Sequence, residues 1–191
     1  MRYLTIILLL FSGLAYGQTH LRGQRYIQIE AGSYDKLLPG VQKGQMNYHC
    51  RIGLGSYSKR LRGGLFYLGY ATKSTPLTDD EGNPVGAVIP VSQFTGGYQY
   101  ELNLVENAAK TFLIKLPFGG LLGYESLNGN KTKYGSFTLQ KHSDLLFSIT
   151  AGLEFEIHSF VVGYRQAYHF TGNYQKFGSY PYVGLKIHFF Q

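Results

Sequence analysis

One cysteine, Cys50, stands in 191 residues, which rules out an internal disulfide and a cysteine-built zinc site. Charge is scarce: Asp, Glu, Lys and Arg make up 15% of the chain, while 16% is aromatic. A disordered chain would show the opposite balance, and a coiled coil would be rich in Ala, Glu, Lys and Leu. Long apolar runs are missing too. The run from Leu4 to Phe11, broken by Thr5, falls well short of the ~20 residues a membrane helix needs. Mean hydropathy is slightly negative, which argues against a helical membrane bundle. What is abundant is glycine, with 25 residues, and tyrosine, with 17. That mixture points to a single domain of β structure outside water.

The N-terminus sets the compartment. Arg2 and Tyr3 precede the apolar run, and Ala15-Tyr16-Gly17 closes it with small residues at alternate positions. A basic start, a short apolar core and a small-x-small end describe a secretory signal peptide over residues 1–17. The mature chain is then expected to begin at Gln18, with a short lead-in over 18–25 and a barrel domain over 26–190. No Cys follows the cleavage point, so a lipoprotein anchor is not available. The net charge of +7 would suit nucleic acid, but export argues against direct contact with it.

Downstream the apolar residues recur with period two. Leu145, Phe147, Ile149, Ala151, Leu153, Phe155 and Ile157 alternate with Leu146, Ser148, Thr150, Gly152, Glu154 and Glu156. Phe160, Val162 and Tyr164 then oppose Val161, Gly163 and Arg165, and Val183, Leu185, Ile187 and Phe189 oppose Gly184, Lys186 and His188. Five earlier segments, around Ile27–Ala31, Tyr48–Leu54, Phe66–Tyr70, Phe94–Leu102 and Phe112–Tyr124, repeat the pattern less strictly. Eight segments of this kind suit tilted membrane strands. Their connections alternate in length. Short turns are expected near Ser58–Leu61, Asn103–Lys110 and His158–Ser159, and long loops over Tyr34–Gln45, Thr72–Ile89, Leu127–Asp144 and Thr171–Ser179. Short periplasmic turns and longer outer loops define an eight-stranded antiparallel up-and-down transmembrane β-barrel of outer-membrane type.

A soluble lipocalin-like carrier shares the period but turns its apolar face inward. The seven uncharged outward positions of the sixth segment favour lipid outside. Glu154, Glu156, Arg165, Lys186 and His188 are then lumen charges, with Glu154 and Glu156 ion-paired to Arg165 and Lys186. Aromatics toward the strand ends, including Tyr48, Tyr124, Tyr164, Phe160 and Phe189, fit interfacial girdles. Phe189-Phe190 before Gln191 resembles the aromatic-ended signal of barrel assembly.

No chemistry is legible. His142-Ser143-Asp144 holds the residue types of a triad, but adjacent loop residues cannot form its geometry. The six histidines lack metal-ligand spacing. His49 and His188 read either as neighbours across the seam or as separate lumen groups. Cys50 falls on the lipid face. Asn130-Lys131-Thr132 matches a glycosylation sequon and supports only exposure of that loop. Lys59, Arg60 and Arg62 sit in a turn expected on the periplasmic side. Lys131, Lys133 and Lys141 form a run without acids in an outer loop, either as contacts for lipid phosphates or as a solvated face. No catalytic, cofactor-binding or metal-binding residue is expected, and no small-molecule substrate.

Gly96-Gly97-Tyr98, Lys115, Gly123-Tyr124-Glu125-Ser126-Leu127-Asn128 and Pro181-Tyr182-Val183-Gly184-Leu185-Lys186-Ile187 resemble the conjugative transposon protein TraO family of Bacteroidetes, most strongly over Phe94–Phe190. The resemblance implies an outer-membrane component of a conjugative, type IV-like secretion apparatus, an anchor or assembly factor for conjugal DNA transfer. Its partners would be outer-membrane lipid and other proteins of the apparatus. The alternatives are a general small outer-membrane barrel for adhesion or envelope stability, a lipid-modifying enzyme of the outer leaflet, and the soluble carrier. The inside-out assignment is testable on two adjacent residues. Leu153→Arg should cost about 2–4 kcal/mol near mid-bilayer, and Glu154→Gln far less. Equal damage from both, measured by folding into lipid vesicles, would overturn the assignment.

Overall fold

The computed structural model describes residues 22–35, 47–78, 84–134, 137–138, 143–172 and 175–189. The segment read as a signal peptide lies outside them, as do Lys141, His142 and Phe190-Gln191. The strands in chain order are β1 (Arg25–Gly32), β2 (Tyr48–Tyr57), β3 (Gly63–Thr78), β4 (Pro84–Glu106), β5 (Phe112–Leu127), β6 (Lys133–Tyr134), β7 (Phe137–Thr138), β8 (Ser143–Ile157), β9 (Phe160–His169) and β10 (Phe177–Phe189). Eight of them close an antiparallel barrel in which each strand pairs with its chain neighbours. β1 completes the ring by pairing β2 on one side and β10 on the other, so that Ile27 faces both Leu54 and Ile187. β6 and β7 form a separate two-stranded ribbon in the connection from β5 to β8. Closure leaves no free sheet edge within the wall, the condition lipid imposes on backbone hydrogen bonds.

Parity runs as the alternation predicts. On β8 the residues from Leu145 to Ile157 at odd positions are all exposed, while Leu146, Ser148, Thr150, Glu154 and Glu156 are buried. Around the wall the outward side chains are large and apolar: Leu145 is 73% exposed, and Phe66 and Leu68 are each 69% exposed. An apolar band of this extent belongs against hydrocarbon. The interior holds Gln28, Glu30, Gln99, Glu101, Lys115, Arg165 and Lys186. A soluble carrier needs the reverse, so that alternative is set aside. No helix among the described residues is long and apolar enough to cross a membrane; the strands do so. Outward aromatics gather at both ends. Tyr70 packs against Tyr48 and Phe94 toward the loop end, with ring centroids 6.0 and 4.8 Å apart. Phe66 packs on Tyr98 at 4.7 Å toward the other end.

The turn end is closed economically. Asn107 shapes the β4–β5 turn: its side-chain oxygen accepts from the backbone N–H groups of Thr111 and Phe112 at 2.8 and 3.0 Å. The β8–β9 turn is His158-Ser159 alone. In the β2–β3 turn Arg60 and Leu61 take left-handed backbone, with φ of 59° and 52°.

One connection differs from its expected form. The long loop placed over Thr72–Ile89 is mostly strand, because β3 and β4 stay paired from Gly63–Glu101 out to Thr78–Pro84. β2 stops opposite Thr72 and β5 stops opposite Val91, so the outer part of this hairpin continues past its neighbours as a two-stranded ribbon, tied at its base by Lys73 to Asp35 and by the Ser74 N–H to Asn47. Threonine and valine carry strand propensity there, and proline is tolerated where a strand is an edge.

Tyrosine and glycine, the two abundant residues, meet inside. Tyr26 faces Gly55, Tyr67 faces Gly97 and Tyr182 faces Gly163 directly across neighbouring strands. In each pair the ring lies on the glycine so closely that a β-carbon there would come within 2.4, 2.6 and 2.4 Å of it, respectively. Glycine leaves the space that lets a large ring lie flat against a narrow wall. Gly163→Val should therefore displace Tyr182 and cost about 1–3 kcal/mol, read from urea unfolding of the vesicle-inserted barrel. Unchanged stability would mean that the ring has an alternative seat.

Candidate functional site

Eight inward charged residues of β1, β2, β4, β5, β8, β9 and β10 form two linked clusters; Glu125, held by Gln93 at 2.9 Å, and Lys73, paired with Asp35, lie apart from them toward the loop end. Toward the turn end, the Lys186 ammonium donates to Glu101 Oε2 at 3.0 Å, Glu154 Oε1 at 2.8 Å and Glu156 Oε2 at 3.0 Å. An ammonium has three protons, and each one has its own carboxylate. Lys115 Nζ adds contacts to Glu101 at 3.1 Å and Glu156 at 2.5 Å. Tyr182 donates to the other oxygen of Glu154 at 2.8 Å, and Gln99 donates to Glu101 Oε1 at 3.2 Å. Tyr57 donates to Glu156, and its hydroxyl lies 3.1 Å from His188 Nε2.

Higher in the lumen, Arg165 binds both oxygens of Glu30, at 2.8 and 3.2 Å. Arg51 lies 3.0 Å from the same carboxylate and stacks 3.5 Å from the centre of the Tyr67 ring. Gln28 joins the two clusters, donating to Glu30 at 3.0 Å and to Glu154 at 3.5 Å. The four glutamates Glu30, Glu101, Glu154 and Glu156 are balanced by four cations, Arg51, Lys115, Arg165 and Lys186. The lower cluster alone is short of one positive charge and the upper cluster has one to spare, so the two are complementary along the axis.

Glu154, Glu156, Arg165, Lys186 and His188 are thus all buried inside the barrel. Their pairing differs in one respect from expectation: Arg165 bonds neither Glu154 nor Glu156. Tyr182 stands between them, its ring 4.5 Å beneath the Arg165 guanidinium and its hydroxyl on Glu154. Glu30, Arg51, Glu101 and Lys115 complete the network, although the sequence reading did not single them out as its charges. Their signal was present, since each falls on the inward parity of its strand. His49 and His188 lie at opposite ends of the barrel: His49 is level with Gly32 and Ala71, and His188 with Tyr26. Cys50 faces outward and is exposed. Lys131 and Lys133 are exposed in the connection from β5 to β8.

Chemically the arrangement is a plug. Glu101, Glu154 and Glu156 bring oxygens within 4.8 Å of one another, a spacing that would suit a cation, and the Lys186 ammonium already occupies that place. Glu154 and Glu156 are shut off from solvent and bound to the same lysine, so they are not placed for acid–base work on a sugar. Tyr26, Tyr57, Tyr67 and Tyr182 fill the space around the charges. An eight-stranded interior has room for side chains and little else.

A family model described as "Conjugative transposon protein TraO" matches residues 21–189. No curated protein matches the chain significantly. Among solved structures, the chain is similar to the crystal structure of Ail, the attachment invasion locus protein of Yersinia pestis, with 14% identity and a TM-score of 0.47. It is also similar to the structure of Ail in a phospholipid bilayer nanodisc, with 16% identity and a TM-score of 0.44. In both cases the likeness covers 88% of this chain and 100% of the other.

Removing Lys186 would leave three carboxylates facing each other with Lys115 alone to balance them. Lys186→Met should cost about 3–5 kcal/mol, the usual penalty for breaking a buried charge pair on one side. Adding Glu154→Gln to that variant should recover part of the loss, because the two residues share one interaction. Unfolding titrations of both variants in lipid vesicles check this, and strictly additive losses would show that the pair is uncoupled.

Proposed function

The chain belongs to the conjugative transposon protein TraO family, and from that premise we propose that it serves as an outer-membrane anchor or assembly factor of a conjugative, type IV-like transfer apparatus. The observation that carries this reading is the family match over residues 21–189, which takes in the whole described barrel. The barrel's apolar wall and closed edges suit the outer membrane of a Gram-negative, Bacteroidetes-like bacterium, reached through the signal peptide at residues 1–17. The protein acts without catalysis of its own. Its lumen is filled by an ion-paired plug, and a filled eight-stranded barrel has no bore for DNA or a folded protein. Passage of the transferred strand therefore belongs to other proteins of the apparatus, and this barrel gives them a fixed point in the lipid.

Two surfaces are available for that task. At the loop end the β3–β4 ribbon rises above the rim, and Lys131 and Lys133 are exposed in the β5–β8 connection; with Lys141 they would contact phosphates of the outer leaflet. At the turn end the periplasmic turns carry exposed Arg60, Arg62 and Lys110. Deleting the gene in a donor strain should lower conjugation frequency and leave outer-membrane permeability unchanged, with transfer restored by the wild-type gene supplied in trans. Normal transfer from the deletion strain would overturn the reading. A permeability defect without a transfer defect would favour a general envelope role.

A further inference from the structure

Among the described residues, the outer wall near the turn end carries one charged residue where lipid is expected. Arg25, the first residue of β1, is exposed and lies in register between Phe189 of β10 and Ser56 of β2. Ser56 is in turn level with Gly64 of β3. All four sit on the outward parity, so the row reads Phe189, Arg25, Ser56, Gly64. Directly above it runs an apolar row of Ile187, Ile27, Leu54, Phe66 and Tyr98. Two small residues between large ones leave a recess. Its volume is ≈ 680 Å³, and Leu54, Phe66, Tyr98, Phe189 and Arg25 stand around it. Tyr98 reaches across Gly64, its hydroxyl 2.6 Å from where a β-carbon would stand, and walls the recess on that side. No carboxylate among the described residues pairs with Arg25.

We propose that this recess binds an anionic phospholipid of the periplasmic leaflet, with its phosphate on the Arg25 guanidinium and an acyl chain along Leu54 and Phe66. The order of the two rows fits that molecule. A cation stands at the level of the aromatic girdle, where headgroups lie, and the apolar trough extends from it toward mid-membrane. The Ser56 hydroxyl adds a donor beside the guanidinium, and arginine matches phosphate geometry well. The surrounding field has the same sign: Arg60, Arg62 and Lys110 are exposed on the adjoining turns, and Glu106, the acid exposed beside them, accepts from Asn103. A zwitterionic lipid could use the trough but would bring its own ammonium into this positive rim. The inference depends on the lipid-facing assignment of the wall and not on the role in conjugation.

Native mass spectrometry of the purified full-length protein, released from detergent with phosphatidylglycerol or phosphatidylcholine, tests it. Phosphatidylglycerol should be retained about fivefold more strongly, the factor one interfacial cation typically contributes toward an anionic surface. Arg25→Gln should remove that preference, while Arg60→Gln should leave most of it. Ser56→Phe, which fills the recess without touching the charge, should reduce retention of both lipids. Folding of every variant is confirmed by its heat-sensitive shift in gel mobility. Equal retention of the two lipids by the wild type, or a preference that survives Arg25→Gln, would overturn the proposal. Conjugation frequency plays no part in these readouts, so failure here and failure of the transfer role are told apart.

Discussion

An ammonium group in a membrane barrel has only the lumen to face, and Lys186 finds three carboxylates waiting there. Glu101 on β4 and Glu154 and Glu156 on β8 reach it from strands far apart in the chain. The interaction costs desolvation of four charges, so it is weak evidence for stability by itself. Its consequence for register is stronger. A slip of one residue in β10 or β8 would turn Lys186, or Glu154 and Glu156 together, into hydrocarbon. A cation at mid-bilayer depth costs about 2–4 kcal/mol, and each lost partner leaves another buried charge unpaired. The cluster thus selects one alignment of strands, and the closed wall follows from that alignment.

The tyrosines make the cluster possible in so narrow a tube. Tyr26, Tyr57 and Tyr182 surround it, and two of them rest on glycines directly opposite in register. Each brings a ring for packing and a hydroxyl that can end on a carboxylate, as Tyr182 does on Glu154 and Tyr57 on Glu156. Cations also sit over these rings, Lys186 at 4.9 Å from Tyr26 and Lys115 at 4.3 Å from Tyr57, a favourable arrangement once water is excluded. For Tyr26, Tyr67 and Tyr182 the two abundant residue types are linked: a bulky amphipathic ring needs an empty place on the next strand.

Alternation made the wall readable from sequence alone. β8, β9 and β10 carry it most strictly, and a period-two pattern fixes which side each residue takes. It also placed Glu154, Glu156, Arg165, Lys186 and His188 together in one interior. What it could not give was who pairs with whom across the lumen. Arg165 reaches Glu30, 135 positions earlier in the chain, because Tyr182 separates it from Glu154. That choice depends on side-chain reach and strand tilt, neither of which is periodic. The β3–β4 ribbon was obscured for another reason. Its prolines and acidic tip have the composition of a loop, while its pairing is set by the strand below continuing upward. The recess beside Arg25 was equally invisible, since Arg25, Ser56 and Gly64 become neighbours only through the register of three strands.

A plugged lumen moves every functional question to the outside of the molecule. The eight charges of the two clusters cancel, are buried, and serve the alignment of the wall. The exterior is divided by depth. A ribbon and exposed lysines stand at one end, an apolar band occupies the middle, and arginines mark the other end. A protein built this way resists tilting, because cations at the turn end stay with headgroups while aromatic girdles at both ends stay at the interface. Fixed orientation would serve the anchoring role proposed for it. The β3–β4 ribbon and the short turns would then sit at opposite faces of the membrane, with the charge-paired barrel joining the two.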